Sequence, residues 1–297
     1  RRRVSTRAVD GLVKAMGSDT GISKSEFSRI CAQLDAEVAA FRERTVHHTE
    51  FPYIFLDATY LKSRIGAHVA SQAMIVAIGV WDRRHPRSPG TDVGDSESFE
   101  FWTVFRSSLR ERGLQGVRLA TSAAHAGLNA AGARQFTGAG WQRCHVHFMR
   151  NLAGKVPGKQ QAAVLAAVTT IFAHTDRDAL PAQWDTVADT LEPSYPAVAA
   201  MMSEAKTDVP AFAEYPLAHW QKIWSNNPIE RLNKETKRRA DVVETFPNNQ
   251  AILRLATSVV IDQHDEWQVC RRPLCVSPKR MPGWPIPART GRTNSPR

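Results

Sequence analysis

The chain has 297 residues, of which 42% are hydrophobic, and a formal net charge of +10. This composition excludes a chain that is disordered throughout, because it is sufficient for a buried core. Its apolar runs are far shorter than the ~18–20 residues that cross a bilayer, so a membrane-spanning protein is not expected. The chain shows no secretory signal, its start resembles a cut end, and its four cysteines favour a reducing cytosol over a disulfide framework.

The positive charge suggests a nucleic-acid partner, because Lys and Arg neutralise phosphates. It lies mostly at the two ends: residues 1–7 carry four Arg and 271–297 carry seven Lys or Arg, with no acid in either segment. Residues 8–270 are therefore close to neutral, and the bulk charge is weak evidence for a particular binding surface. The last segment also holds six of the 17 prolines, which predicts a disordered basic tail.

The first predicted elements are helices over residues 8–45. Ser23 as N-cap and Glu26 three residues later form a capping box, followed by an apolar stripe at helical spacing. This pattern is similar to a helix-turn-helix, and the alternative is an ordinary helical hairpin, which is far commoner than a DNA-reading helix pair. In the first interpretation the second helix presents three polar residues to DNA, namely Ser25, Ser28 and Arg29.

A mixture of strands and helices is predicted after residue 50, and its order is typical of an α/β fold with a mixed sheet. The segment 86–94, rich in Pro and Gly, is expected to break the second strand together with Gly79. The predicted elements are strands at 53–59 and 68–80, a weak strand, a helix at 96–112 ended by Gly113, a strand at 117–121, a helix at 124–133 and a strand near 139–144.

Residues 157–222 are Ala-rich and predict helices at 160–174, 177–191 and 195–206. We interpret them as a helical insertion, because a strongly basic helix beginning at Asn227 follows them instead of a new strand. A further helix is predicted over 249–269.

Asp57 is the first candidate for chemistry, because it stands inside an apolar, aromatic strand. A buried carboxylate costs several kcal/mol unless it is paired, hydrogen-bonded or bound to a metal. An Asp that caps a turn at a strand end is the competing interpretation, and the strand alone does not decide between them.

Glu230 is the second candidate, and it begins a helix in the sequence Asn227-Pro228-Ile229-Glu230. That sequence is also a common helix start, in which the Glu caps backbone N–H groups or pairs with Lys234 or Lys237 along the helix. A basic stripe lies beside it, made of Lys234, Lys237, Arg238 and Arg239. The stripe either follows a phosphate backbone or is a solvated helix face.

Cys144 and His147 form a Cys-x-x-His pair, which is half of a zinc site. A packed Cys and a hydrogen-bonded His explain the pair more simply than zinc, because Cys270 and Cys275 do not complete a recognised ligand spacing.

Four segments together resemble the Mutator-type transposases of bacterial insertion sequences, over residues 5–270 and in the same order. This resemblance implies an RNase H-like fold with an inserted helical domain, and a triad of two Asp and one Glu that holds two Mg²⁺ ions. It also implies that an N-terminal DNA-binding stretch of whole family members is absent here. The four segments are 51–62 (Phe-Pro-Tyr-Ile-Phe-Leu-Asp-Ala-Thr-Tyr-Leu-Lys), 92–98 (Asp-Val-Gly-Asp-Ser-Glu-Ser), 141–152 (Trp-Gln-Arg-Cys-His-Val-His-Phe-Met-Arg-Asn-Leu) and 227–239 (Asn-Pro-Ile-Glu-Arg-Leu-Asn-Lys-Glu-Thr-Lys-Arg-Arg).

The resemblance assigns the first Asp of the triad to Asp57 and the Glu to Glu230, both as Mg²⁺ ligands, and its Cys-x-x-His to Cys144 and His147. The position of the second Asp is occupied by Ala123. A methyl group cannot coordinate Mg²⁺, and His125 is too soft a ligand to replace a carboxylate. We therefore expect little or no strand transfer by this chain.

The resulting hypothesis is a transposase of an insertion element that binds the terminal inverted repeats and target DNA, and is impaired in cleavage and strand transfer. It would work as a homo-oligomer in the cytoplasm, at the nucleoid, with no membrane contact. Lys62, the basic stripe and the three residues of the second helix are the candidate DNA contacts. The alternatives are an inactive DNA-binding remnant or regulatory subunit, another RNase H-like nuclease, and a gene fragment without function.

Two departures from the family pattern agree with degeneration. The segment 84–91 has two prolines where family members have a regular third strand, and the tail resembles out-of-frame sequence. The predicted division is a helical DNA-binding-like segment at 1–46, a catalytic core at 51–156 and 223–270, a helical insertion at 157–222, and the tail at 271–297.

Overall fold

A five-stranded mixed sheet organises the described part of the chain, in the strand order β3-β2-β1-β4-β5. The computed structural model describes residues 23–47, 50–80, 86–123, 138–225 and 227–269. The strands are β1 Tyr53–Ile65, β2 His68–Val80, β3 Pro86–Gly94, β4 Leu119–Ser122 and β5 Gly140–Arg143. The mixed α/β fold predicted from the sequence is confirmed, whereas the RNase H-like topology and the separate helical insertion stay predictions.

The helices occupy the chain before, between and after these strands. They are α1 Lys24–Glu43, α2 Phe99–Glu111, α3 His145–Ala153, α4 Gly158–Phe172, α5 Leu180–Leu191, α6 Pro196–Ala205, α7 Trp220–Ile223, α8 Asn227–Ala240 and α9 Asn249–Val269, with short 3₁₀ helices at Pro210–Glu214 and Leu217–His219. No helix within the described ranges is long and apolar enough to span a membrane.

The hairpin of β1 and β2 is the centre of the sheet, and its two strands pair without interruption from Tyr53 opposite Val80 to Ile65 opposite His68. Long runs of β-branched and aromatic residues favour these strands. Gly66 has a φ of 56° in the turn, a conformation that glycine adopts without steric cost. β4 and β5 add to the other edge of β1 in parallel.

Helices cover both faces of this hairpin, because successive side chains of a strand point to opposite faces. Ile54 and Leu56 pack with Trp102 and Leu109 of α2. Phe55, on the opposite face, belongs to a second cluster that joins β2 to α8 and α9. A third cluster connects the helices between β5 and α8 to the start of β1 and of β4.

The segment 86–94 is a strand and not a break, which corrects the prediction made from its Pro and Gly content. β3 pairs with β2 at the edge of the sheet, with a register shift between Ala77 and Gly79. An edge strand tolerates proline because one side of it makes no ladder hydrogen bonds. The two prolines are therefore no evidence of degeneration.

Gly79 lies inside β2, where it was expected to end the strand. A Cβ at this position would overlap the ring of Phe51, which is buried. The glycine is explained by this close approach of an aromatic ring and not by a turn.

The helix predictions are mostly confirmed, with ends that differ by a few residues. Ser23 caps α1 by accepting a hydrogen bond from the Glu26 N–H at 3.1 Å, and α9 has the predicted bounds. The helix α3 was not predicted. The expected helices at 8–22 and 124–133 and the tail at 271–297 lie outside the described residues.

Candidate functional site

Asp57 lies in the middle of β1, and Ala123, the position of the missing carboxylate, directly follows the parallel strand β4. The parallel register joins Tyr53 to Leu119 and continues to the pair of Leu56 and Ser122. Asp57 and Ala123 directly follow this last pair along their chains, so both lie at the same end of the β1–β4 ladder. The alanine therefore occupies, near the β1–β4 pairing that precedes Asp57, the position that the family resemblance assigns to the second acid.

The helix α8 covers Asp57 and supplies its hydrogen-bond partner. Ile229 and Leu232 anchor the helix in the core, and the same packing turns Asn233 towards β1. The Asn233 Nδ2 donates to Asp57 Oδ2 at 2.9 Å. Both side chains are nearly inaccessible, with exposures of 7% for Asp57 and 8% for Asn233. The carboxylate of Asp57 is therefore held in one orientation from the helix side.

Burial raises the pKa of Asp57 to about 7, from an ordinary value of 3.8. The backbone N–H of Ala58 acts in the opposite direction, the negative charges of Glu97 and Glu230 raise the pKa further, and the positive charge of Lys237 lowers it. A buried carboxylate among other carboxylates binds a proton more tightly than one in water. In the protein alone, Asp57 is therefore partly protonated at neutral pH.

Glu230 begins the same face of α8 that carries Asn233, and it faces α3. The Arg150 Nη2 lies 3.6 Å from Glu230 Oε1, which is the closest ion pair that Glu230 makes in the described part. This Oε1 is buried without a hydrogen-bond partner among the described residues. The pairing of Glu230 with Lys234 or Lys237, considered from the sequence, is therefore wrong.

His147 lies close enough to Glu230 for the charge of that carboxylate to change the pKa of His147. Burial lowers the pKa of His147, the charge of Glu230 raises it and that of Arg150 lowers it. The imidazole Nδ1 is buried and has no hydrogen-bond partner in the ranges that the structure covers. Of the motif Cys-x-x-His, the histidine thus lies near Glu230, whereas Cys144 is fully buried.

Cys144 connects the motif to the strand ends. Its backbone N–H donates to the carbonyl oxygen of Ser122 at 2.7 Å, which places the start of α3 directly next to Ala123. The thiol is outside any disulfide. The packed Cys of the simpler interpretation fits this environment.

The residues do not fit the two-metal centre that the family resemblance implies. Across the described ranges, no group of three or more His, Cys, Asp or Glu side chains is arranged to hold a metal ion. The hard oxygen ligands that Mg²⁺ prefers are present in Asp57 and Glu230. The methyl group of Ala123 stands where the next ligand is needed, and His125 lies outside the described residues.

Two residues near Asp57 were missed by sequence reasoning. Asn233 follows Glu230 by three positions, and this helical spacing signals that the two share a face. Glu97 precedes the N-cap Ser98 of α2 and also interacts with Tyr60, whose pKa is raised first by burial and then by the Glu97 charge. No local pattern reveals that Glu97 lies near Asp57.

The candidate DNA contacts on α1 are not brought to this site. Ser25, Ser28 and Arg29 are exposed, on a helix that packs against α9 and β3. Arg29 pairs with Glu26 on the same helix at 3.1 Å. Their role in DNA binding stays a prediction.

Acidic residues partly neutralise the basic stripe on α8. Glu235 accepts hydrogen bonds from Arg238 and Arg239 at distances of 2.7–2.8 Å, and these bonds lower the pKa of Glu235 to about 2. Arg239 also reaches Asp262 at 3.0 Å. Lys234 and Lys237 remain exposed, and so does Lys62 on β1. In the described part, no carboxylate lies within 4 Å of these three ammonium groups.

Comparison with known proteins identifies relatives over almost the whole chain. The model of the family "Transposase, Mutator family" matches residues 1–270. The transposase for insertion sequence element IS1081 of Mycobacterium tuberculosis is 40% identical over 271 residues, which are 91% of this chain and 65% of that protein. The transposase for IS256 in transposon Tn4001 of Staphylococcus aureus is 35% identical, over 89% of this chain and 68% of that protein.

A third relative is the transposase for ISRM5 of Rhizobium meliloti, 34% identical over 91% of this chain and 67% of that protein. The chain thus spans about two thirds of the length of these relatives. Among solved structures, NurA has a TM-score of 0.14 at 11% identity, over 91% of this chain and 65% of that chain, which does not assign the fold. The family match and the identities together show that the chain belongs to the Mutator family of transposases.

Proposed function

We propose that this chain is an insertion-element transposase that binds element DNA and is impaired in phosphodiester cleavage and strand transfer by Ala123. The observation that supports the proposal is the β1–β4 register, whose last pair, Leu56 and Ser122, directly precedes Asp57 and Ala123. The buried Asp57 and Asn233 still form a polar site together with the partly exposed Glu230 and Glu97. The names of the relatives support transposition as the process.

The proposed partners are the terminal inverted repeats of the element and target DNA, and the proposed location is the cytoplasm at the nucleoid. The exposed cations Lys62, Lys234 and Lys237 support the DNA contact, because they lie on the two elements that carry Asp57 and Glu230. A homo-oligomer remains part of the proposal, since cutting two element ends together needs more than one active site.

The deciding experiment compares this chain with Ala123→Asp in cleavage and joining of a labelled DNA that carries an element end, with and without Mg²⁺. We expect activity only in the Ala123→Asp variant with Mg²⁺, because the added carboxylate supplies a hard ligand next to Asp57. The double variant Asp57→Asn with Ala123→Asp is the matched control and should be inactive. Equal, robust activity of the unmodified chain would show that it is not impaired.

An inactive DNA-binding subunit is the second candidate, and the methyl group of Ala123, which cannot bind a metal ion, favours it. Gel-shift titrations of element ends against scrambled DNA of equal length test this candidate. Specific binding without Mg²⁺-dependent cutting supports it. Cutting that ignores the element ends would instead indicate another type of nuclease.

A further inference from the structure

The hairpin of β1 and β2 extends beyond the other strands of the sheet. The pairing of β2 with β3 reaches only to Ala73, and that of β1 with β4 only to Leu56. The hairpin continues from the pair of Tyr60 and Ala73 to the pair of Ile65 and His68, which is about 17 Å at the usual rise of a strand. We call this part, residues 60–73, the hairpin end.

One face of the hairpin end is covered and held in place. Gln72 on this face is buried, and Asn249 at the start of α9 donates to it at 2.8 Å. The segment after α8 lies along β1, where the Arg64 N–H donates to the carbonyl oxygen of Phe246 and the Phe246 N–H donates to that of Lys62, both at 2.9 Å. The hairpin end is therefore a fixed part of the fold and not a free loop.

The opposite face of the hairpin end is exposed. Residues directly opposite each other in an antiparallel pair share a face, and the register pairs Lys62 with Ser71 and Arg64 with Val69. This face is opposite to that of Asp57, because successive side chains of a strand alternate between the two faces. We call it the open face, and its exposed residues are Tyr60, Lys62, Arg64, Val69 and Ser71.

The open face is positively charged. Residues 60–73 include Lys62 and Arg64 but no Asp or Glu. Within the described ranges, no carboxylate lies within 4 Å of either cation. Glu97 acts at the inner end, where burial and then the charge of Glu97 raise the pKa of Tyr60. The outer part of the face therefore attracts a polyanion.

The shape of the hairpin end fits duplex DNA. Its two strands, about 4.8 Å apart, form a ribbon that the major groove, about 12 Å wide, can admit. Lys62 and Arg64 are separated by about 7 Å along the strand, which matches the rise of about two phosphates along one DNA strand. The hydroxyl group of Ser71 can donate to a phosphate oxygen beside them.

We propose that the open face of the hairpin end is a docking surface for duplex DNA. Lys62 and Arg64 neutralise phosphates, Ser71 donates a hydrogen bond to the backbone, and Val69 adds an apolar contact in the groove. The inference rests on the proposed function for its partner, DNA, and adds a surface on the side of the sheet opposite to Asp57. Binding there uses no metal ligand, so it does not require Mg²⁺.

The test measures binding of the full chain to a fluorescent DNA duplex of arbitrary sequence, about 20 base pairs or two helical turns long. Binding is measured by fluorescence anisotropy over a range of salt concentrations without Mg²⁺. In Lys62→Gln/Arg64→Gln, the slope of log K against log salt should become less steep by about 1.8, and binding at about 0.1 M salt should weaken about 30-fold. Lys155→Gln/Lys159→Gln, at two exposed positions near the start of α4, is the matched control and should bind like the unmodified chain.

The outcomes separate this surface from the proposed function. If Lys62→Gln/Arg64→Gln binds the duplex with the affinity and salt slope of the unmodified chain, the open face is not the docking surface, while the proposed function stands. Equal losses in the two double variants would indicate an effect of net charge alone and would also overturn the surface. If the unmodified chain binds no duplex, including one that carries an element end, both proposals are wrong.

A gain of binding keeps the test decisive if the double variant folds poorly. Ser71→Lys adds a third cation to the open face, opposite Lys62. It should strengthen duplex binding about fivefold and make the salt slope steeper by about 0.9. Ser194→Lys, at an exposed position after α5, is the control and should leave the slope unchanged. Identical binding by these two variants would contradict the proposal.

A second copy of the chain is the competing occupant, because Tyr60 and Val69 expose apolar surface on this face. Sedimentation of the unmodified chain and of Lys62→Gln/Arg64→Gln without DNA tests it. A dimer that only the unmodified chain forms, with equal duplex binding by both, would make the open face an interface between copies and overturn the DNA surface. Equal sedimentation together with weaker duplex binding by the variant supports the DNA surface.

Discussion

Replacing Asp57 by Asn is expected to stabilise the protein at neutral and alkaline pH and to leave its stability unchanged in acid. Asn has nearly the same shape as Asp and its side-chain oxygen still accepts the hydrogen bond from Asn233. It carries no charge, so the cost of burying an ion beside Glu97 and Glu230 disappears.

The magnitude follows from the pKa of about 7 that Asp57 has in the folded chain, against an ordinary value of 3.8. Below about pH 4 the group is protonated in both the folded and the unfolded state, so it costs nothing. Between about pH 4 and pH 7 only the unfolded chain releases the proton, and the free energy of unfolding falls as pH rises. The full cost above pH 7 is about 4 kcal/mol. We therefore expect Asp57→Asn to gain about 2–4 kcal/mol at pH 8.

Urea unfolding followed by tryptophan fluorescence measures this gain at pH 4.5, 6 and 8, in buffer free of divalent ions. Asp241→Asn, at an exposed position after α8, is the control for removing one negative charge. A difference between Asp57→Asn and the unmodified chain that is the same at all three pH values would refute the reasoning. So would a gain of equal size in Asp241→Asn.

Three further substitutions test the packing around Asp57, between α1 and α9, and inside β2. Asn233→Ala removes the donor to Asp57 and should cost about 1–3 kcal/mol, more at pH 8 than at pH 4.5 because the ionised carboxylate needs the donor more; urea unfolding at both pH values measures it, and a loss independent of pH would contradict it. Asp35→Asn removes the negative charge and one of the two oxygens that accept hydrogen bonds from Arg254, at 2.6 and 2.7 Å, and that join α1 to α9. It should cost about 1 kcal/mol in thermal unfolding, with Asp185→Asn on an exposed pair as the control that changes less. Since these bonds lower the pKa of Asp35, this loss should shrink in acid. Gly79→Ala should cost about 1–3 kcal/mol by displacing the Phe51 ring, and in a double-mutant cycle Phe51→Leu should recover part of it.

Local sequence patterns predicted the helices and central strands of this fold better than the strand at the edge of the sheet. The strand β2 and the helix α9 have the bounds read from the sequence, because long apolar runs with clear ends leave few alternatives. β3 was mistaken for a break, since Pro and Gly signal turns on average and only the sheet order reveals an edge position. The short helix α3 was not predicted, because its residues had been considered only as a motif for metal binding.

The site was predictable where one segment carries the signal and not where distant segments meet. Asp57 and Glu230 were found from their segments and from the resemblance to the family. The contact between Asp57 and Asn233 spans 176 positions of sequence, and it depends on how α8 packs against β1.

A well-packed fold and an impaired site are compatible, because the side chain at position 123 contributes little to the sheet. The backbone groups of β4 pair with β1 and β5 whatever this side chain is. A carboxylate there would add a negative charge next to Asp57, whose pKa Glu97 and Glu230 already raise. Without a bound cation this charge is a cost, so Ala123 favours the stability of the metal-free chain while removing a metal ligand. Stability therefore carries no information about strand transfer, and the Mg²⁺-dependent comparison with Ala123→Asp measures the property that the fold does not report.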